Sequence, residues 1–269
     1  MPFVESVSER PLKEFNVSDR DVFLKPSLPR SAEFKHLFLH PAQFEGSVYT
    51  TYFCGSGTRV GYQNLNDAVA KTIELTSKAV ERTFLYFYFP VLDSLCHEKG
   101  PAAPSTLECL KSVNRAIERI ARVLSKDVRM LVTADHGQID SSPEPKMILE
   151  PDDPLLAMLN TFPTGEKRTP IFHVKEGHDD EFKKAFLDRF GDEFVLLTSS
   201  EIFSLGLFGD SLTLEKLEEE AKNRLGTFWA IPKHRGTIYC NYPQKKQHKC
   251  VGHHGGLSSD EMFVPLYIL

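Results

Sequence analysis

The sequence predicts an α/β fold with a mostly parallel central sheet covered by helices, on three observations. The run TFLYFYF (83–89) is aromatic and apolar on both faces, as suits a strand buried on both sides. Ser105–Lys126 carries Leu110, Val113, Ile117, Ile120 and Leu124 at steps of three and four, which gives one apolar helical face. VRMLVT (128–133) reads as a second buried strand. Strand, helix, strand is a βαβ unit with a right-handed crossover, so the sheet is predicted to be parallel.

The remaining elements follow in order. Residues 1–40 read as an irregular lead-in, with a short helix near Ser31–Phe38; residues 1–44 hold five of the 17 prolines. Residues 41–269 read as one domain. Within it, 64–80 has approximate helical spacing through Leu65, Val69, Ile73 and Val80. Ser105 and Glu108 form an S-x-x-E capping box at the start of the main helix. Residues 143–165 are a Pro- and acid-rich excursion. PIFHV (170–174) and FVLLT (194–198) read as strands flanking the helical EFKKAFLDRF. Leu212–Leu225 reads as a second strong helix stopped by Gly226. TFWAIP and GTIYCNY read as a hairpin-like pair, and VPLYIL as a closing strand.

Composition excludes several classes. The chain has 269 residues, 41% hydrophobic and 26% charged, which is ordinary for a globular domain. The net charge of −5, with scattered Lys and Arg, gives no basic stripe for a nucleic-acid polymer. No apolar run has membrane-span length, and the N-terminus has no signal-like apolar core. Five cysteines at irregular spacing do not form a disulfide framework, so a cytoplasmic, reducing setting is expected.

Three clusters combine Asp and His at element ends. Asp93 and His97, four apart, follow TFLYFYF. Asp135 and His136 follow VRMLVT. His253 and His254 sit among glycines near the C-terminus. Any one pair also fits a hydrogen-bonded turn. Functional groups of a parallel sheet collect at the carboxyl ends of its strands, and three clusters placed there point to metal binding. Carboxylate oxygen with imidazole nitrogen suits zinc, and also manganese or iron. The glycines beside His254 let its backbone approach a crowded site.

The runs carrying these residues resemble those of the type I phosphodiesterase/nucleotide pyrophosphatase family, within the alkaline phosphatase superfamily. Asp93-Ser-Leu-Cys-His97-Glu-Lys-Gly-Pro resembles its D-x-x-x-H-x-x-G-P motif. Thr-Ala-Asp135-His136-Gly resembles T-A-D-H-G. The stretch from Gly252 through His254, Glu261 and Pro265 resembles G-x-H-G-G-L-S-x-x-E-M-x-V-P. GEKRTPIFHV, GLFGDS and RLGTFWAI look like the family's connecting segments. The match runs from about residue 41 to the C-terminus.

The resemblance implies an alkaline-phosphatase-like fold and a hydrolase of phosphodiester or pyrophosphate bonds in nucleotide-like small molecules. It implies two divalent metal ions, most simply zinc. Asp93, His97 and His254 would hold one, Asp135 and His136 part of the other, with His253 as a supporting neighbour. Family members begin with a strand ending in a metal-binding Asp, followed by a Thr or Ser nucleophile at a helix start. Nothing before Asp93 has that pattern, and Ser56 and Thr58 read as turn residues. No catalytic nucleophile is therefore assigned. The expectation is a chain lacking the N-terminal part of the family fold, with the second metal site incomplete and activity reduced, or needing a partner or second copy. The alternatives are a phosphomonoesterase of the same superfamily and a non-catalytic metal-binding remnant or subunit.

Other groupings have plainer readings. Cys240, His248, Cys250 and His253 match no tight zinc-finger spacing. Cys96 reads as core, His173 as a hydrogen-bonded structural histidine, and Glu215, Glu218 and Glu219 as a solvated face.

Overall fold

The computed structural model describes every residue except 1–4, 6–7, 24–32, 142–143, 210–213, 244–246 and 248. In chain order the elements used below are β1 (Lys35–Pro41), α1 (Val48–Cys54), β2 (Thr58–Tyr62), α2 (Leu65–Ser77), β3 (Thr83–Phe87), α3 (Val91–Lys99), α4 (Pro104–Ala121) and β4 (Leu131–Thr133). They continue with β5 (Ile139–Asp140), β6 (Ile148–Leu149), β7 (Thr164–Glu166), β8 (Thr169–Phe172), α5 (Asp179–Phe190) and β9 (Phe194–Thr198). The last are α6 (Ser199–Ser204), β10 (Phe228–Pro232), β11 (Tyr239–Cys240), β12 (Gly252–His253), α7 (Ser259–Met262) and β13 (Leu266–Ile268). The chain divides into two compact units, the first comprising Met1–Ser94, Pro104–Thr133 and Leu266–Leu269, the second Leu95–Ala103 and Ala134–Pro265.

The first unit is built on a parallel sheet in the order β2-β1-β3. Its central strand, β1, falls where the sequence suggested lead-in and a short helix. Phe34, Leu37 and Phe38 do have helical spacing, but Leu37, Phe38 and Leu39 are all buried, and pairing on both edges selects the strand. Residues 31–32 of that suggested helix lie outside the described residues. Leu39, Tyr62 and Ala68 form one small core; Val69 of α2 packs with Ala116 and Ile120 of α4 in another. Helix α4 starts at Pro104, a residue suited to a first helical turn, so Ser105 lies inside the helix rather than capping it.

Two expectations about the strands change here. β3 is not buried on both faces: Phe84 and Tyr86, which alternate with the half-buried residues, are exposed. β4 pairs antiparallel with β13, not with β3, so α4 does not join neighbouring strands.

The second unit holds an antiparallel sheet in the order β7-β8-β10-β9, backed by α5. Phe182, Phe186 and Phe190 repeat every four residues along α5 and are fully buried with Phe172, Phe194 and Phe228. Each such ring contributes about 1.5–3 kcal/mol on burial. β10 and β11 do not form the suggested hairpin. Both edges of β10 are taken by β8 and β9, while β11 pairs in parallel with β6. The suggested helix 212–225 is also absent as one element: a 3-10 turn at Leu214–Lys216 and a short helix at Glu219–Asn223 replace it, with 212–213 outside the described residues. A continuous helix would stack Glu215 on Glu218 and Glu219, like charges at i,i+3 and i,i+4, which disfavours it.

Candidate metal centre

Asp93 and His97 lie one turn apart on α3, so both side chains share a face. Asp93 is in the first turn, where the positive helix end favours a carboxylate. At the other end, Gly100 closes the helix with φ +94 and its N–H on the Cys96 carbonyl, a conformation that suits glycine. The His97 carbonyl accepts from the Val251 N–H at 2.8 Å, which lays β12 along the end of α3. Gly252 sits directly against the Cys96 carbonyl, where a Cβ would collide.

This docking fixes the histidine tautomers. His97 Nδ1 donates to the Gly252 carbonyl at 2.8 Å, so Nε2 is left as the lone-pair nitrogen. His136 Nδ1 donates to its neighbour's Gly137 carbonyl at 2.9 Å, with the same consequence. A carbonyl behind one ring nitrogen is the usual support of a metal-ligating histidine.

The structure brings Asp93, His97 and His254 together. One ligand atom from each lies within 4.8 Å of the others, and among the described residues this is the only group of three or more Asp, Glu, His or Cys so arranged. Donors about 2.0–2.2 Å from a tetrahedral ion lie roughly 3.3–3.6 Å apart, so an inward shift of about 1–1.5 Å closes the set. The residues present thus fit a divalent cation. His136 stacks on His254, with centroids 3.6 Å apart and planes 14° from parallel. Asp135 beside it is 76% exposed, and its Oδ1 is 3.7 Å from His136 Nε2. No third donor of those types joins Asp135 and His136 among the described residues.

His253 points elsewhere. It is 3% exposed, and its Nε2 meets the Tyr239 hydroxyl at 2.6 Å. That hydroxyl accepts the Cys250 N–H at 2.9 Å, so its proton goes to His253 Nε2. Burial, then the charge of Lys167, push His253 down to about 4, which keeps the ring neutral. Tyr239 is pushed up to about 12, chiefly by burial.

The plainer readings are placed as follows. Cys96 is buried and outside the ligand group. His173 Nε2 is 2.9 Å from Thr164 Oγ1. Ser56 is in a turn and Thr58 opens β2. Cys240 and Cys250 join no ligand group among the described residues, and His248 lies outside them. Sequence reasoning missed Arg168 and Glu261, the buried ion pair beneath the His254 loop. Glu261 stood in the quoted terminal motif and Arg168 in GEKRTP, but they are 93 residues apart and nothing local links them.

Comparisons with known proteins agree on the fold. Mouse ectonucleotide pyrophosphatase/phosphodiesterase 5 superposes with a TM-score of 0.56 at 19% identity, covering 87% of this chain and 60% of that one. An inactive variant of the mouse protein in complex with AMP gives 0.53 at 19% identity, with 87% and 59% covered. Phosphonoacetate hydrolase from Sinorhizobium meliloti, in complex with phosphonoformate, gives 0.56 at 13% identity, with 88% and 65% covered. The chain therefore spans less than two thirds of each of these structures. No curated protein sequence matches it. Among the described residues no helix is long and apolar enough to cross a membrane. The model of the family described as type I phosphodiesterase / nucleotide pyrophosphatase matches residues 13–257, and the chain belongs to that family.

Proposed function

We propose that this chain is the metal-binding part of a hydrolase that cleaves phosphodiester or pyrophosphate bonds in small nucleotide-like molecules. The observation that carries the reading is the convergence of Asp93, His97 and His254 from one helix and one distant loop. Family membership and the fold shared with an AMP-bound relative support the substrate class.

In this reading Asp93, His97 and His254 hold one zinc ion, and Asp135 and His136 offer part of a second site. Bound divalent ions supply Lewis-acid stabilisation of charge on the phosphoryl oxygens. The chain's own work is orientation. The Gly252 and Gly137 carbonyls hold the Nδ1 protons of His97 and His136, which puts the lone pair of each ring on Nε2. Asp93 sits in the first turn of its helix, where the positive helix end favours a carboxylate. No described residue is assigned as nucleophile. We infer that a Thr or Ser from a segment outside this sequence completes the site, and that turnover by this chain alone is slow.

Zinc analysis of the purified chain, with phosphodiester and phosphomonoester chromogenic substrates, tests this. One tightly held zinc, with slow cleavage preferring the diester, is the expected result. A faster monoester reaction would move the chain to the monoesterases. Zinc binding with no hydrolysis would make it a non-catalytic metal-binding subunit. No zinc binding would remove the metal-centre reading itself.

A further inference from the structure

Beneath the His254 loop lies a buried ion pair. The Arg168 and Glu261 side chains are each 1% exposed. Arg168 Nε and Nη2 donate to Glu261 Oε1 and Oε2 at 2.9 and 2.7 Å, and Nη1 donates to the His234 and Gly236 carbonyls. The carboxylate accepts two further donors, the Gly256 N–H at 2.8 Å and the Ser258 hydroxyl at 2.6 Å. Both belong to the loop that follows His254. Thr169, next to Arg168, donates its hydroxyl to the Gly255 carbonyl at 2.9 Å. Gly255 has φ +102, and a Cβ on Gly256 would fall 2.7 Å from both Arg168 Nη2 and Glu261 Oε2. The loop backbone is thus pressed onto the ion pair with no room for side chains.

Glu261 also reaches the other histidine. Its main-chain carbonyl accepts the Gly137 N–H at 2.7 Å, and Gly137 is the residue whose carbonyl receives His136 Nδ1. A Cβ on Gly137 would strike the Asp260 carbonyl. One residue therefore ties the turn carrying His136 to the loop carrying His254, whose rings stack. For stability alone, apolar residues of similar volume often serve as well as a buried ion pair, so this pair calls for a role that packing would not fill.

We propose that Arg168 and Glu261 are positioning residues for the metal centre: they hold the Gly255–Ser258 loop against the His136 turn and so set where His254 presents its ring. The inference rests on the metal reading above. Supporting groups behind metal ligands typically change affinity about 10–100-fold when removed.

The test is zinc affinity by chelator competition on the whole chain, with thermal melting and cobalt(II) absorption in parallel. Glu261→Gln leaves Arg168 charged and buried without its partner, a strongly destabilising change. The double variant Arg168→Met/Glu261→Met removes both charges at similar volume. It is expected to fold with a lowered Tm, because the Gly256 N–H and the His234 and Gly236 carbonyls lose their partners, and to bind zinc about 10–100-fold more weakly with an altered cobalt spectrum. A second double variant, Thr169→Val/Ser258→Ala, leaves the ion pair in place and removes two loop anchors; a several-fold loss is expected from it. Native zinc affinity and an unchanged cobalt spectrum in a folded variant of both kinds would overturn the inference. The outcome is separable from failure of the metal reading, in which wild type and His254→Ala would bind zinc equally.

Discussion

His136 and His254 lie ring on ring, 3.6 Å between centroids, although they come from different turns of chain 118 positions apart. His254 is also 5.1 Å from the His97 ring. It is thus the residue common to both clusters of candidate ligands. His253, its neighbour in sequence, is turned to Tyr239 instead.

Replacing His254 should therefore cost more metal than replacing His253. Removing a supporting group costs about 10–100-fold, so loss of a ligand should exceed about 100-fold. Zinc content after gel filtration is expected to fall from one equivalent towards zero in His254→Ala and to persist in a folded His253→Asn. Equal retention in wild type and His254→Ala would remove His254 from the site.

Tyr239→Phe should weaken the fold without emptying the site. The hydroxyl serves two buried partners, the Cys250 N–H and His253 Nε2, and each loses its partner in the variant. An unsatisfied buried group costs about 1–3 kcal/mol, and 1 kcal/mol corresponds to roughly 2–4 °C in a chain of this size. A drop in Tm of several degrees with zinc stoichiometry unchanged is expected. A Tm equal to wild type would show that water replaces the hydroxyl.

The candidate ligands were legible because each carries a local mark: a strand end before Asp93 and Asp135, and a glycine pair after His254. Helices α2 and α4 were legible from their spacing alone. What failed depended on distant partners. Phe34, Leu37 and Phe38 have helical spacing, yet Lys35–Pro41 becomes a strand through pairing with β2 and β3. TFWAIP looked like half of a hairpin because nothing in it shows that β8 and β9 take both its edges. Arg168 stood inside GEKRTPIFHV with nothing local to mark it, because its carboxylate partner, Glu261, is 93 residues away.

Phe186→Ala should be the most damaging single truncation in the second unit. The ring is fully buried and contacts Phe172, Phe182, Phe190 and Phe194. Removing a buried phenyl ring costs about 3–5 kcal/mol when the surroundings cannot collapse. The rings around it are themselves fixed by β8, β9 and α5, so the cavity should persist. Urea unfolding gives the measurement; a loss under about 1 kcal/mol would mean that this cluster is loosely packed.

Glu261 gives the fold an acid limit of predictable sign. Burial alone would raise its carboxyl above the ordinary 4.5, but hydrogen bonds from Arg168, Ser258 and Gly256 outweigh it, and the folded value lies below 4.5. The folded chain then binds fewer protons at this group than the unfolded chain does. The stabilisation is fully present above 4.5 and is lost as pH falls through the lower, folded value. Glu261→Gln has no such titration. If that variant folds, the stability gap between it and the wild type should be constant from about pH 7 to about pH 5 and narrow below about pH 4. Urea midpoints across that range decide the matter. A gap that stays constant to about pH 3 would mean that Glu261 takes up its proton over the same range folded as unfolded, so that its carboxyl is not held below its ordinary value by Arg168.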